Sequence, residues 1–149
     1  MTRGCMGPRR GQTLVEVALV LPLLVVLIAG IFDFGRAIYG YNTVLNSSRE
    51  AARLAIVEQS ASAVEQKAID HAVALGLDAS DVDLDFRTVT NLNTPGSCNS
   101  KLGTPEIVGC VAVVRVQYSY EASIPVITAL VGPIILTGET RFPVEHNAP

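Results

Sequence analysis

The sequence predicts an α+β protein: a long N-terminal helix, half of it in a membrane, carrying a small antiparallel sheet outside. Three observations predict this. An apolar run without charge stands near the N-terminus. Helical periodicity continues past the end of that run. Beyond residue 80 the apolar period changes to two, which is the period of strands.

The apolar run comes first. Between Val17 and Phe32 there is no charged residue, and Pro22 and Gly30 are the only interruptions of the apolar run. Leu14 to Phe32 makes a helix rising roughly 28 Å, close to the hydrocarbon thickness of about 30 Å. Hydrophobic content is 49% and mean hydropathy +0.39, and the excess is concentrated in this run. Arg3, Arg9 and Arg10 precede it without an acid. Basic residues beside a span favour the cytoplasmic side, so the chain from about Asp33 onward is expected outside. The rest of the chain is mildly acidic and has no basic patch, and the formal net charge of the whole chain is −3. Nucleic acid is therefore not an expected partner, whereas membrane lipid is.

Helical patterning then continues. Phe34, Ile38, Tyr41 and Leu45 recur at three- and four-residue steps, and Ala52, Leu54, Ala55 and Ile56 extend an apolar stripe. Phe32, Phe34, Tyr39 and Tyr41 suit an interfacial aromatic belt. One helix is expected from about Thr13 to Val57, with Arg49, Glu50 and Arg53 on its wetter face. The division of the chain is accordingly a leader at 1–11, a helix at 12–58 with its span at about 14–32, and an extracytoplasmic α+β domain at 59–149.

In that outer part, Ser62-Ala-Val-Glu65 has the form of a capping box, which predicts a second helix to about Leu75 with Gly76 as its stop. "VDLDFRTVT" (82–90) sets Val82, Leu84 and Phe86 against a solvated face of Asp83, Asp85 and Arg87. "VVRVQYSYE" (113–121) sets Val114, Val116, Tyr118 and Tyr120 against Arg115, Gln117, Ser119 and Glu121. Both predict half-buried strands. "TGETRFPVE" (137–145) predicts a weaker strand, placed at an edge by Pro143. "IPVITALVGPII" (124–135) is too short to span a bilayer and is expected as a buried or membrane-surface loop. Cys98 and Cys110 flank a loop-like stretch on the outer side, where a disulfide is permitted and expected. Cys5 lies in the leader.

No catalytic constellation stands out, so an enzyme is not expected. His71 and His146 lack partners at metal-ligand spacing. Asp78, Asp81, Asp83 and Asp85 lack the glycine-centred loop and terminal Glu of an EF-hand. No metal or cofactor is expected.

One residue remains unexplained by a simple anchor. Glu16 stands inside the span, where a carboxylate is costly. It follows a basic leader ending in Gly11, in the order G-x-x-x-x-E before an apolar run. A signal-peptidase cut near Leu27-Ile28-Ala29 fits poorly, because the helical pattern continues past it. "GQTLVEVALVLPLLVVLIAGIFDFGRAIYGYNTVLNSSREAARLA", residues 11–55, resembles the TadE-like pseudopilin family of tight-adherence (Flp pilus) assembly systems. Gly11, Gln12, Val15, Glu16, Ala18, Leu19, Leu21 and Pro22 carry the resemblance, with Asp33, Phe34, Gly35, Arg36, Ala51, Ala52, Arg53 and Ala55. Val17 departs from it, standing where Phe or Tyr is common.

The resemblance implies a pilin-like fold and a structural role. It implies that a prepilin peptidase cuts between Gly11 and Gln12, leaving Glu16 as the fifth residue. Glu16 would then pair with the new amine on Gln12 of a neighbouring pilin or pseudopilin, where losing one partner of a buried pair costs about 3–5 kcal/mol. Pro22, tolerated in a span, would permit local melting during assembly. Asp33 and Arg36 are an i,i+3 pair on the helix face. The expected role is a minor pilin or pseudopilin that primes or tips an adhesive pilus, in the cytoplasmic membrane or at the cell surface. Two alternatives stay open: a membrane-anchored extracytoplasmic binding or sensor protein, in which Glu16 merely snorkels to the headgroups, and the major subunit of a pilus-like filament.

Overall fold

The helix that begins beside the basic leader does not stop where the apolar run ends. In the structure, a computed structural model describing residues 9–102 and 105–145, α1 runs unbroken from Arg9 to Ala55. It is 47 residues long, or about 70 Å. Pro22 lies inside it without ending it. Gly11 does not mark the start of the helix, because a single glycine costs only about 1 kcal/mol in a helix interior. Most of the leader (residues 1–8, with Arg3 and Cys5) and His146 lie outside the described residues.

The remaining elements are α2 (Ala61–His71), β1 (Val82–Thr88), β2 (Cys110–Tyr120), α3 (Pro125–Val131) and β3 (Ile134–Pro143). The three strands form one antiparallel sheet in the order β1-β2-β3. The arrangement is α+β, a long apolar N-terminal helix with a small antiparallel sheet. Val82, Leu84 and Phe86 pair with Val116, Val114 and Ala112. Their face of the sheet, with Cys98, Ile107 and Val144, makes one core with α1 and α2.

The face of α1 that meets this core is not the one its large side chains suggest. Phe34, Ile38 and Tyr41 are exposed, at 68%, 45% and 46%. Val44, Ser47, Ser48, Ala51, Ala52 and Ala55 are fully buried instead, and Gly40 is buried with them. Small side chains win this face because the sheet must approach the helix backbone closely. The two elements also share a repeat. Leu136 lies against Gly40, Gly138 against Val44, and Thr140 bonds Ser48 across 2.8 Å. Four helical residues rise about 6.0 Å and two strand residues about 6.6 Å, so β3 climbs α1 in step. α2 is tied to the same face where the Ser47 hydroxyl donates to the Ala68 carbonyl at 2.7 Å.

Four further expectations need correction. α2 begins at Ala61 with Ser60 in the N-cap position, so Ser62 is inside the helix and makes no capping box; the Ser60 and Ser62 hydroxyls bond each other at 3.1 Å. α2 also ends at His71. A 3-10 turn carries the chain to Leu75, and Gly76 stops it in the left-handed region at φ 63°. Segment 124–135 is not a loop: it contains α3 and the first two residues of β3. Lastly, Asp85 and Arg87 are not solvated. Both are 6% exposed, because the chain after β1 folds back over them. Arg87 Nε donates to Asp85 Oδ2 at 2.6 Å and its Nη1 to the Leu92 carbonyl at 2.8 Å, while the Gly96 amide donates to Asp85 Oδ1 at 2.6 Å. Alternation placed these two charges on the outer face correctly, but could not show that a loop covers it.

Candidate functional site

The residues singled out in the sequence fall into two groups along α1. The first is bare helix. From Gln12 to Leu27 every residue is exposed, and none of the most hydropathic 18-residue window is buried against the rest of the chain. α1 is, by length and composition, a helix able to cross a membrane. Glu16 shares a face with Thr13, Val17, Val20 and Leu24. Among the described residues no ion pair forms at its carboxylate. Gly11, Gln12, Glu16 and Pro22 therefore lie together on one segment that the folded domain does not touch.

The second group begins at the first charge beyond the span. Asp33 is 7% exposed, although it follows a run of exposed apolar residues. Its carboxylate accepts the Ser123 amide with both oxygens at 3.1 Å and the Ile124 amide at 3.3 Å. These amides sit at the N-terminus of α3. Pro125 suits the first turn of that helix, but Ile124 in the N-cap position has no side-chain acceptor. Asp33 supplies the missing acceptor from another helix, and its negative charge is favourable at that end of α3.

Four more contacts complete the clamp. The Tyr120 hydroxyl donates to the Asp33 carbonyl at 2.8 Å. Arg36 Nη1 donates to the Ser123 hydroxyl and lies 3.8 Å from Asp33 Oδ1. The Arg36 guanidinium also stands 5.9 Å from the centre of the Tyr120 ring, within range of a cation–π contact. Burial, then the nearby Asp33 charge, raises the Tyr120 pKa above its ordinary value, so this hydroxyl stays a neutral donor at physiological pH. Asp33 and Arg36 thus do more than pair along a helix face: they fasten the end of β2 to α1 where the apolar run ends. Tyr120 and Ser123 were not legible as their partners. The only signal was a Ser-Ile-Pro helix start lacking an N-cap acceptor.

Away from α1, Cys98 and Cys110 are joined by a disulfide, Cα atoms 6.2 Å apart. Cys110 opens β2 opposite Thr88, and the Cys98 amide donates to the Phe86 carbonyl at 2.9 Å. The bridge therefore pins the far end of the stretch that covers Asp85 and Arg87 to the start of β2. Asp78 and Asp81 are engaged with each other, the Asp81 carboxylate accepting the Asp78 amide at 3.0 Å.

A family match falls on this same stretch of α1, which carries the bare segment together with Asp33 and Arg36. Residues 11–53 match the family model for TadE-like proteins. The match covers less than a third of the chain. It runs from the glycine at the head of α1 through Glu16, Pro22, Asp33 and Arg36, and it ends in the small-residue face. No curated protein and no solved structure matches the chain. The TadE-like stretch coincides with a single element, α1, and points to the tight-adherence pilus system.

Proposed function

We propose that the protein is a minor pilin or pseudopilin that primes or tips a tight-adherence-type pilus used in adhesion. It works by packing helices, not by catalysis. Residues 1–11 are a leader that a prepilin peptidase removes between Gly11 and Gln12. Residues 12–58 are the assembly helix, and 59–149 the domain it displays outside the cytoplasmic membrane. The N-terminus faces the cytoplasm before processing. Other pilins or pseudopilins, the assembly machinery and membrane lipid are its partners.

One observation carries this reading. The TadE-like match falls on the helix whose first half is left uncovered by the described residues. A bare apolar helix with a carboxylate near its start is suited to exchange lipid for neighbouring helices. In lipid, Glu16 is expensive. Beside the Gln12 amine of a neighbour, it is neutralised. The difference favours the assembled state and fixes its register.

The test separates anchoring from assembly. Glu16→Ala makes the span more apolar, so insertion and leader removal should persist. Recovery in crosslinked, sheared surface fractions should fall about 10-fold or more, since an unpaired buried amine costs on the order of 3 kcal/mol. Normal recovery of both Glu16→Ala and Glu16→Gln would sink the pairing mechanism. Loss with Ala and rescue with Gln would replace the charge pair with a hydrogen bond. In the same host, an intact mass that still includes residues 1–11 would overturn the pilin reading itself.

A further inference from the structure

Among the described residues, α3 and the start of β3 add no side chain to the buried core, and beyond the amides at its start α3 takes no part in the clamp. No charged residue occurs from Ala122 to Gly138, between Glu121 and Glu139. Val131 is 59% exposed, Ile134 44% and Ile135 65%. A soluble domain gains nothing by presenting such a stretch to water.

Its position explains it. The excursion from Ile124 to Ile134 leaves and returns at one level of α1. It leaves where the Ser123 and Ile124 amides meet Asp33. It returns where Ile134 pairs with Tyr120, whose hydroxyl reaches the Asp33 carbonyl. The matched climb of β3 gives the direction. Thr140 meets Ser48, Gly138 meets Val44 and Leu136 meets Gly40. One further step of four and two residues brings Ile134, the first residue of β3, level with Arg36. The sheet thus rises away from the span, and α3 hangs at its span-proximal end. At that level α1 itself exposes Ile31, Phe32 and Phe34.

We propose that α3 with Ile134 and Ile135 is a second membrane contact, lying in the lipid interface beside the exit of α1. Its occupant is the lipid surface: the patch stands at the level where the apolar run of α1 ends, and it carries no charge that entry into the lipid boundary would strand. Asp33 and Arg36 at this level would sit among the headgroups, and the contact would fix the tilt of the domain on its helix. This inference rests on reading α1 as a membrane span.

Depth-dependent quenching tests it. The full chain, with Cys5→Ser and the Cys98–Cys110 bridge intact, is placed in phosphatidylcholine nanodiscs. A bimane fluorophore is attached at Val131→Cys or, separately, Ile135→Cys. Val57→Cys and Val89→Cys, exposed positions on the outer part of the chain, are references, and Leu24→Cys reports the span. A lipid bearing a nitroxide near its headgroup should quench positions 131 and 135 about two-fold or more above the references, at the depth of about 5–10 Å expected for interfacial helices. Aqueous iodide should reach them correspondingly less. Quenching by lipid at 24 but not at 131 and 135 would overturn the collar and leave the span standing. Shielding from iodide without lipid quenching would assign the patch to a second copy or another protein, and also overturn it. Absence of lipid quenching at 24 would overturn both readings.

Discussion

At Gly138 the sheet leaves no room for a side chain against the helix, and Gly138→Ala is the sharpest test of how the domain is mounted. A Cβ built there would lie 2.8 Å from the Val44 carbonyl oxygen, 2.9 Å from Val44 Cγ1 and 3.0 Å from the Val44 carbonyl carbon. Ordinary contacts with carbon are about 3.5–4.0 Å, so β3 would have to retreat roughly 0.5–1 Å. Two of the three obstacles are backbone and cannot rotate away. The retreat would also stretch the 2.8 Å Ser48–Thr140 bond beyond useful length. Overpacking costs about 1–3 kcal/mol, and the hydrogen bond adds about 1 kcal/mol.

A loss of about 2–4 kcal/mol should lower the melting temperature by roughly 10 °C for a domain of about 100 residues. The assay is near-ultraviolet circular dichroism of the tyrosines in detergent, with the disulfide intact. Gly35→Ala is the control. Nothing lies within 4 Å of its added Cβ, and alanine is worth about 0.5–1 kcal/mol over glycine in a helix, so its effect should be neutral or stabilising. Val44→Ala in the Gly138→Ala background removes the Cγ1 contact but not the carbonyl, so it should restore only part of the loss. A Gly138→Ala protein that melts like wild type would refute the close mounting of β3 on α1.

Three other expectations follow from the same geometry. Asp33→Ala should free the corner between β2 and α3, raising amide exchange at Ser123 and Ile124 by about 10- to 100-fold, as expected for charge-assisted bonds worth roughly 1.5–3 kcal/mol; unchanged protection would exclude the clamp. Arg87→Met should cost about 3–5 kcal/mol in chemical denaturation because it leaves the Asp85 charge buried, and adding Asp85→Leu should recover part of it; equal stability of wild type and the single variant would argue against a buried pair. The third concerns pH. The Arg115 hydrogen bond, reinforced by Arg141, holds the Glu139 pKa below its ordinary value. A depressed carboxylate stabilises above its unfolded pKa, about 4.3, and that contribution fades as pH falls through the folded value. Wild-type stability should therefore decline below about pH 4, and Glu139→Gln should flatten part of that slope. The step should be small, under about 1 kcal/mol, because Arg115 is partly exposed; an identical acid profile in the variant would remove Glu139 from the account.

Period and capping chemistry were legible wherever an element answers to its own sequence. The apolar run, the two strands with Val82–Phe86 and Val114–Tyr120 facing inward, Pro143 on an edge strand and Gly76 as a stop all follow from local rules. What failed was whatever depends on a second element. The stripe of Phe34, Ile38 and Tyr41 looked like a packing face because large apolar residues usually are one. The sheet chose the opposite face, where Gly40 and a series of Val, Ser and Ala residues let β3 approach in step with the helix. Asp85 and Arg87 looked solvated because alternation says which side a residue takes, not whether a loop later covers that side. Ser62 looked like a cap because the pattern S-x-x-E also occurs one turn inside a helix. For Asp33 and Arg36, the i,i+3 spacing was legible but not the distant amides that occupy the carboxylate.

The discarded stripe bears on the proposed function. A helix that must hold its own domain and also pack against neighbours needs two faces, and α1 divides them by residue size. Small residues from Gly40 to Ala55 take the sheet and α2. Large residues at Phe34, Ile38 and Tyr41 stay uncovered and continue the bare surface of the span without a break. In the proposed assembly, neighbouring helices could therefore follow α1 past the membrane boundary for two further turns without displacing the domain. The clamp at Asp33 makes that division mechanical. It fixes the sheet to the helix at the first residue beyond the apolar run, so a pull on the span reaches the domain through buried hydrogen bonds and not through a flexible linker.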